Sequence, residues 1–334
     1  MVEIVHTTRR VVSAEERKGA ADRQAQQRAK LGLPLAFGAG EDAAAGAEVE
    51  AAQQGRERGW EEMYDDVTGA AYWRHRRTGR ATWDPPPPEA TPTEGRDDLK
   101  RYHERRYELF RRFDEGVRLD DEAWFSVTPE LLAKHQAKRL LQAVAKPLSM
   151  VAVDVYAGGG GNAIQLAHRG GANAHVLGLE LDTKRAHDAA HNAHVYGARW
   201  RVDIVIADAT VLLPRLRAGI VDAVFSSPPW GGPRYRREQD GSFDADTLAP
   251  LSLADLWIAA RRLLRDDDDG GGIAPQSTIA TFLPRATTDA SITHAAEMAG
   301  FDEVEVETAV LDRRAVGVTV YCRRAASPTS DVLY

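Results

Sequence analysis

The second half of the chain alternates short apolar segments with helical patterns, and this alternation limits the fold more than any other feature. Seven apolar segments are predicted strands, at residues 150–157, 175–181, 201–208, 221–227, 277–284, 304–311 and 316–322. Helical patterns lie between them at 184–196, 253–264 and 288–299 and, after a run of glycines, up to about residue 169. Alternating units of this kind build an α/β fold, with a parallel, doubly wound sheet and helices on both faces. The last two strands have no helix between them, so we expect an antiparallel hairpin at one edge.

A helical segment at 97–147 precedes the alternating region and is predicted to extend the same domain. Side chains that would share one helix face recur there, at Tyr102, Arg106, Leu109, Phe110 and Phe113. We expect one helix to carry this stripe and a second to begin near Thr128, because threonine caps helices and a following proline is tolerated in the first turn. The catalytic part of the chain is therefore placed at 148–325, with a short tail at 326–334.

The N-terminal part of the chain has a different composition and is predicted to add little to that core. Residues 38–58 hold almost no apolar side chain larger than alanine. We therefore expect 1–57 to be largely disordered, with room for one exposed helix at 13–31. Aromatic residues then cluster at 58–86, and a proline-containing linker follows at 87–96. The chain is expected to carry a small separate module in front of its main domain.

The composition excludes several classes of protein. The single cysteine, Cys322, excludes a disulfide scaffold within the chain and a cysteine-based zinc site, and it fits a reducing compartment. No apolar run reaches the roughly 18 residues that a membrane span needs, and the N-terminus lacks a secretory signal. The formal net charge of −7 argues against a surface coated with basic residues for long nucleic acid.

Three histidines on one predicted helix resemble a metal site only in their spacing. His187 and His191 are spaced as in a zinc-protease helix, and His194 adds a third imidazole. No convincing carboxylate base accompanies them, because Asp188 is shorter than glutamate. We therefore expect a solvated helix face and no metal.

Acidic residues and glycines lie at the carboxyl ends of the first three predicted strands. Open α/β sheets bind their ligands at these ends. Asp154 precedes the glycine run 158–161, Glu180 ends the second strand and Asp208 ends the third. Glu180 suits the two hydroxyls of a ribose, and Asp208 suits an adenine amino group. An acid before the glycines would repel a pyrophosphate but suits the cationic amino-acid end of S-adenosylmethionine. On these residues alone a methyltransferase, a dinucleotide-binding domain and a plain glycine turn remain open.

The fourth strand ends in Ser226-Ser227-Pro228-Pro229-Trp230, and this motif indicates the chemistry. An amino group on a nucleobase is a poor nucleophile, because its lone pair is delocalised into the ring. A site that methylates this amino group has to accept hydrogen bonds from its N–H groups, so that the lone pair points at the methyl group on the sulfonium. Ser227 and a carbonyl of the tight proline turn can do so, and Trp230 offers a flat face for the base. The structural alternative is a proline-rich turn with a buried tryptophan.

Several longer segments are specific in both sequence and order. They are residues 100–130, DVYAGGGGNAIQLA at 154–167, NAHVYG at 192–197, SSPPWGGPRY at 226–235 and FLPR at 282–285. Together they resemble the trimethylguanosine synthase family, over about residues 100 to 323. The resemblance implies a class I S-adenosylmethionine-dependent methyltransferase, a Rossmann-like seven-stranded sheet with an N-terminal helical extension.

The same resemblance implies an activity and its setting. In that family, methyl groups pass from S-adenosylmethionine to the exocyclic 2-amino group of 7-methylguanosine RNA caps, which gives di- and trimethylguanosine caps on small nuclear and nucleolar RNAs. The implied cofactor is therefore S-adenosylmethionine without a metal, and the implied partner is capped RNA. The implied location is the nucleus, in the nucleolus or Cajal-like bodies, with the cytoplasm as a further compartment.

The resemblance also implies roles for individual residues. Cofactor contacts match Phe110, Thr128, Asp154, Gly158, Gly160, Glu180 and Asp208. The site of the reacting guanine matches Ser227, Pro228 and Trp230, and basic contacts to the cap phosphates match Arg101 and Arg285. A 7-methylated guanine is positively charged, so stacking on Trp230 gains a cation–π attraction of up to about 2 kcal/mol. The run RYRR at 234–237 is expected either to face RNA or to be a solvated charge cluster.

The aromatic module at 58–86 resembles a WW domain, a small three-stranded sheet. Trp60 is expected to pack against Pro86, and Tyr72 and Trp83 are expected to form a groove for a proline-rich protein ligand. The linker is expected to make the module a tether without a fixed orientation toward the catalytic domain. We expect the chain to be a monomer.

Two alternatives to a cap enzyme remain. An adenine amino methyltransferase acting on RNA or DNA would carry a similar turn motif, although Trp230 and the WFSVTPE segment at 124–130 favour the cap enzyme. The other alternative is a WW adaptor with an inactive methyltransferase fold. The presence of the acidic, glycine and SPPW elements disfavours it.

Overall fold

The computed structural model describes residues 59–64, 71–77, 79–82, 86, 91–142, 144, 150–231, 242–265, 278–301, 303–311 and 314–323. The predicted disorder and helix in 1–57 lie outside the described residues, as do Trp83, the run 234–237 and the tail 326–334. The chain divides into two units, and all described residues fall within the second, Gly40–Tyr334. None of the helices among these residues has the length and hydrophobicity that a membrane span requires.

The aromatic module is a three-stranded antiparallel sheet. Its strands are β1 (Trp60–Tyr64), β2 (Ala71–His75) and β3 (Ala81–Thr82), in the order β1-β2-β3. Trp60 pairs with His75 across β1 and β2 and is 2% exposed. Pro86 is buried as well. The expected all-β module is present, while its identity as a WW domain stays a prediction.

The helical extension consists of short helices, and the predicted single helix for the aromatic stripe is wrong. It contains α1 (Lys100–Glu104), α2 (Arg106–Leu109), α3 (Ala123–Ser126) and α4 (Glu130–Gln142), with 3-10 turns at Asp97–Leu99 and Phe113–Glu115. After α2 the backbone of Phe110 is extended, with φ −141° and ψ 113°. The N–H of Arg111 then donates to Glu130 Oε2 at 2.8 Å, and the N–H of Arg112 donates to the Tyr196 hydroxyl at 3.2 Å. These tertiary hydrogen bonds replace the ones that a continuous helix would make.

A seven-stranded sheet forms the centre of the main domain. Its strands are β4 (Val151–Asp154), β5 (His175–Glu180), β6 (Val202–Ile206), β7 (Ala223–Ser226), β8 (Thr278–Leu283), β9 (Glu303–Leu311) and β10 (Arg314–Arg323). Their order is β6-β5-β4-β7-β8-β10-β9. The first five are parallel, and β10 is antiparallel to both β8 and β9. The predicted Rossmann-like sheet and its antiparallel edge hairpin are confirmed.

Helices cover both faces of this sheet. They are α5 (Gly161–Arg169), α6 (Thr183–Val195), α7 (Ala209–Leu212), α8 (Leu253–Leu263) and α9 (Asp289–Ala299). Because crossovers between parallel strands are right-handed, the strand order puts α5 and α6 on one face and α8 on the other. Every residue of β4, β5, β7 and β8 is buried as a result, which is why these strands read as continuous apolar runs. Cys322 is fully buried in β10, as expected of a small core residue.

The sheet order also fixes where a ligand can bind. From β4 the chain runs outward to β5 and β6, and it then crosses back to β7 and β8 on the other side of β4. The crossover connections therefore leave in opposite directions from the carboxyl end of β4, and a crevice opens at such a switch point.

Candidate functional site

The loop after β4 depends on glycine for its conformation. Gly158 and Gly160 have φ values of +53° and +85°, which a residue with a side chain rarely adopts. A Cβ at Gly160 would also lie 3.1 Å from the carbonyl oxygen of Ala189 in α6. A Cβ at Gly158 would meet nothing within 4 Å, so its side of the loop is open. The loop is packed against α6 at one glycine and accessible at the other.

The Asp154 carboxylate is buried, and no hydrogen bond from the described residues stabilises its negative charge. It is 1% exposed, and within the described chain neither carboxylate oxygen has a hydrogen-bond partner. Burial, together with the negative charge of Glu180, raises the pKa of Asp154 to about 7. The amides of Ala163 and Tyr156 lie near enough to oppose this pKa shift, but without hydrogen-bond geometry. A buried carboxylate left in this state suits a positively charged ligand group.

Glu180 is fixed by two backbone amides. Its Oε2 accepts from the N–H of Gly158 at 2.9 Å, and its Oε1 accepts from the N–H of Asp182 at 2.9 Å. Arg185 lies 3.6 Å from Oε1 and also pairs with Asp120 of the extension at 2.8 Å. The acid that ends β5 is therefore tied both to the glycine loop and, through Arg185, to the extension.

Asp208 lies just beyond β6 and caps α7. Its Oδ1 accepts from the N–H of Thr210 at 2.8 Å and from the hydroxyl at 2.7 Å, and these bonds hold the pKa of Asp208 below its ordinary value. The nearby Tyr156 hydroxyl is buried without a hydrogen-bond partner among the described residues. Burial, and then the charge of Asp208, raises the pKa of Tyr156 to about 12, so Tyr156 stays neutral.

The extension lies directly over the glycine loop. A Cβ at Gly159 would lie 2.8 Å from Cγ2 of Val127, and a Cβ at Gly161 would lie 3.6 Å from the Thr128 carbonyl and 3.9 Å from Phe110 Cζ. Phe110 and Thr128 are themselves buried. The structure therefore brings the two extension residues of the expected cofactor site against the loop of that site.

Asn192 joins the extension to the loop, although no role is predicted for it from the sequence pattern. Its Nδ2 donates to the carbonyls of Gly159 and Arg118 at 2.9 and 2.8 Å, and its Oδ1 accepts from the N–H of Arg118 at 2.8 Å. The side chain is fully buried in α6. Its position at the start of the NAHVYG segment was the signal that could have identified it.

The two serines at the end of β7 have different surroundings. Ser226 is buried, and its hydroxyl lies 2.8 Å from that of Thr281, which also accepts from the indole N–H of Trp257 at 2.8 Å. Ser227 is half-buried, and within the described part of the chain its hydroxyl has no hydrogen-bond partner. Ser226 thus belongs to the core of the fold, and Ser227 is available to a ligand.

Aromatic and basic groups lie beyond Ser227. Pro228 is buried, and the half-buried Trp230 packs on the same apolar cluster as Tyr102 of α1. Arg101 is exposed and stacks on the Tyr102 ring, with its guanidinium carbon 4.7 Å from the ring centre. Arg285 is exposed in the turn after β8. Tyr102 and Trp230 thus both pack on the core of the main domain, and the roles of Arg101, Trp230 and Arg285 toward a cap stay predictions.

Of the three histidines on α6, His187 and His194 are exposed, as predicted for a solvated helix face, whereas His191 is not. His191 is half-buried and its Nε2 lies 2.8 Å from the carbonyl oxygen of Gly116 in the extension. Burial lowers the pKa of His191, and it likewise lowers that of His194. No group of side chains that could hold a metal ion occurs among the described residues. His191 therefore contributes to the contact between α6 and the extension.

Comparison with known proteins supports one family. Residues 149–325 match the sequence model of a family described as RNA cap guanine-N2 methyltransferase. The trimethylguanosine synthase of Schizosaccharomyces pombe is 34% identical over 206 residues, which cover 61% of this chain and 74% of that protein. That of Saccharomyces cerevisiae is 34% identical over 142 residues, which cover 42% of this chain and 44% of that protein. Thus the chain spans about three quarters of the first relative and less than half of the second.

A comparison with solved structures gives a weaker likeness. An O-methyltransferase from Bacillus cereus in complex with SAH is 15% identical, with a TM-score of 0.41, and the match covers 60% of this chain and 83% of that chain.

Proposed function

This chain belongs to the RNA cap guanine-N2 methyltransferase family, and from that premise we propose how its residues transfer a methyl group from S-adenosylmethionine to a cap guanine. The observation that carries the proposal is that Asp154 and Phe225 are register partners in the neighbouring strands β4 and β7. Ser227 follows Phe225 by two residues and so lies at the same edge of the sheet as the Asp154 carboxylate. A cofactor at Asp154 and a base at Ser227 would therefore be neighbours, as methyl transfer requires.

The residues around the glycine loop fit S-adenosylmethionine, which supplies when bound a methyl group on a positively charged sulfonium. Asp154 binds the ammonium of its amino-acid end, because a buried carboxylate with two unused oxygens is stabilised by a cation. Glu180 accepts from the ribose hydroxyls with the lone pairs that the Gly158 and Asp182 amides leave free. Asp208 accepts from the adenine amino group. The open face of Gly158 admits the cofactor.

Phe110, Gly160 and Thr128 complete the cofactor site by shape. Gly160 permits the turn that places the loop against α6, and Phe110 and Thr128 cover the loop from the extension. Cover of this kind excludes water from the methyl group.

Ser227 and Pro228 orient the acceptor amine. The Ser227 hydroxyl accepts one N–H of the 2-amino group, and a carbonyl of the Pro228 turn accepts the other. These two hydrogen bonds fix the direction of both N–H bonds. The nitrogen lone pair, perpendicular to the N–H bonds, then faces the methyl group. The product amine loses its proton to water after transfer, because an alkylated, positively charged amine of this kind is strongly acidic. The chain therefore needs no general base.

Trp230 selects the methylated guanine. Stacking of a positively charged 7-methylguanine on the indole gains up to about 2 kcal/mol over neutral guanine, a factor of about 30 in affinity. Arg101 and Arg285 bind the cap phosphates, since both guanidinium groups are exposed.

The relatives' name supplies the expected product, a trimethylguanosine cap. We therefore take two successive transfers to the same nitrogen as the complete reaction, with small nuclear and nucleolar RNAs as substrates and the nucleus as the compartment. The partner proposed for the small sheet is a proline-rich protein segment bound at Tyr72.

A comparison of acceptors tests the proposal. Full-length protein is incubated with S-adenosylmethionine carrying a labelled methyl group and, separately, with a 7-methylguanosine cap analogue, the unmethylated analogue and an adenosine oligonucleotide. We expect label in the 7-methylguanosine analogue, about 30-fold less in the unmethylated one and none in adenosine. Preferential labelling of adenosine would identify the enzyme as an adenine amino methyltransferase and reject the proposal.

A further inference from the structure

The small sheet is in contact with the extension that covers the glycine loop. The indole N–H of Trp60 donates to the carbonyl of Asp114 at 2.8 Å, and both residues are buried. His75, the strand partner of Trp60, lies edge-on to the indole with ring centres 5.0 Å apart, and its Nε2 is 3.6 Å from Asp114 Oδ2. The two residues that begin β1 and end β2 therefore pack on Asp114.

Further hydrogen bonds surround this contact. Arg77 donates to the carbonyl of Arg111 at 2.8 Å. Arg80 donates to the carboxylate of Glu115, whose side chain is fully buried, at 3.1 Å and to the carbonyl of Val195 at 3.3 Å. The turn between β2 and β3 is thus tied both to the extension and to the end of α6. The prediction of a module without a fixed orientation is wrong, because these bonds orient it.

The extension segment that the sheet contacts continues to the glycine loop. The Phe110 ring packs edge-on against Tyr196, with centres 5.8 Å apart, and a Cβ at Gly161 would lie 3.9 Å from its Cζ. At the other end of the segment, Arg118 and the Gly159 carbonyl are both bound by Asn192. Asp114 lies between these two anchors, so a displacement of Asp114 acts on both.

We propose that Trp60 is a positioning residue for cofactor binding, which acts by fixing segment 110–118 over the glycine loop. The small sheet is then an integral part of the catalytic unit. This inference rests on the proposed function, because it requires the glycine loop to hold S-adenosylmethionine. The segment covers the cofactor side of the site, while Ser227 lies at the end of β7. The effect is therefore expected on cofactor affinity rather than on the acceptor.

Docking through Trp60 leaves the other face of the small sheet available. Cross-strand partners share a face, and successive residues alternate between faces. Trp60 and His75 lie on the docked face, whereas Tyr72 and its partner Met63 lie on the opposite one. A proline-rich ligand at Tyr72 would therefore bind to the outer face of a fixed element.

The decisive variant is Trp60→Phe in the full-length protein, which keeps the apolar bulk and removes the indole N–H. Calorimetric titration with S-adenosylhomocysteine and steady-state kinetics with the cap analogue give the affinity, KM and kcat separately. We expect the dissociation constant and the KM for the cofactor to rise about fivefold to tenfold, as loss of one buried hydrogen bond predicts. The KM for the cap and kcat should change by less than about twofold. Tyr64→Ala is the matched control, because Tyr64 is 64% exposed at the far end of β1.

A purely structural role for Trp60 would give a different result. The melting temperature of Trp60→Phe would fall while the folded protein bound the cofactor as tightly as wild type does, and this would overturn the inference. If Trp60→Phe does not fold, Arg80→Ala decides in the same assay, since it removes the bonds to Glu115 and Val195. Unchanged cofactor affinity in Arg80→Ala would then reject the inference about Trp60. Failure of wild-type protein to bind S-adenosylhomocysteine at all would instead reject the proposed function.

Discussion

Gly158 donates its backbone N–H to Oε2 of Glu180 at 2.9 Å, so the loop after β4 and the acid that ends β5 form one unit. The bond holds the Glu180 carboxylate near Asp154, whose pKa is raised first by burial and then by the charge of Glu180. A buried acid beside a second acid is costly without a ligand cation, although Arg185 lies 3.6 Å from Glu180. The cofactor, which carries an ammonium and a sulfonium, relieves this repulsion when it binds.

Asp154→Asn should strongly weaken cofactor binding while it stabilises the protein. The pKa of Asp154 is about 7 in the folded state and 3.8 as an ordinary carboxyl, so its ionisation opposes folding increasingly as the pH rises between these values. At about pH 8 the variant should gain on the order of 2–4 kcal/mol in free energy of unfolding. It should also lose about 100-fold in affinity for S-adenosylhomocysteine. Denaturant unfolding and calorimetric titration measure the two effects. A variant that is destabilised at this pH would contradict the account.

Cofactor affinity should depend on pH through the same group. Below about pH 7 the Asp154 carboxyl of the free protein is protonated, and the cofactor has to displace that proton to gain its ionic partner. The dissociation constant should therefore rise about tenfold for each pH unit below 7. Titrations between about pH 5.5 and pH 8 test this dependence, with Asp154→Asn as the control that should show none. Equal pH profiles for both proteins would assign the titration to another group.

Trp230→Ala should separate the two ligands. Loss of the indole face should weaken binding of the 7-methylguanosine cap and remove most of the roughly 30-fold preference over unmethylated cap. Cofactor affinity should stay within about twofold of wild type. Fluorescence titration with each cap analogue and calorimetry with S-adenosylhomocysteine measure the separation. Loss of the cofactor with retention of the cap would show that the roles were assigned the wrong way round.

The paired serines provide a matched test of catalysis. Ser227→Ala should lower kcat by about tenfold and change the KM for the cap little, since one hydrogen bond to the reacting amine is lost and the proline carbonyl remains. Ser226→Ala should instead lower the melting temperature, because Ser226 bonds Thr281 in the core. Steady-state kinetics and thermal unfolding of both variants compare the roles. A larger loss of kcat in Ser226→Ala than in Ser227→Ala would refute this assignment.

The sequence predicted the parts of the fold that periodicity controls. Strands buried on both faces must be apolar throughout, so β4, β5, β7 and β8 could be recognised from composition alone. The positions of Asp154, Glu180 and Ser227 followed from the rule that parallel strands end at one edge. Whether Asp154 would have a partner could not be predicted, since that depends on side chains from elements distant in sequence.

Long-range hydrogen bonds account for what the sequence did not predict. The stripe at 102–113 has helical spacing, yet Glu130 and Tyr196 bind the backbone N–H groups of Arg111 and Arg112 and end the helix. Trp60 was expected to close its own small module, whereas its indole N–H binds Asp114, 54 residues away. Local patterns carry no information about such partners.

The central claim is that the chain methylates the 2-amino group of a 7-methylguanosine cap. Its most direct test is to locate the methyl group in the product by tandem mass spectrometry, after full-length protein has reacted with S-adenosylmethionine and a 7-methylguanosine-capped RNA. The account predicts one or two added methyl groups, all on the exocyclic N2 of the cap guanine, with far less product when Ser227 and Trp230 are both replaced by alanine. A methyl group on an adenine amino group or a ribose hydroxyl, with N2 unmodified, would contradict it.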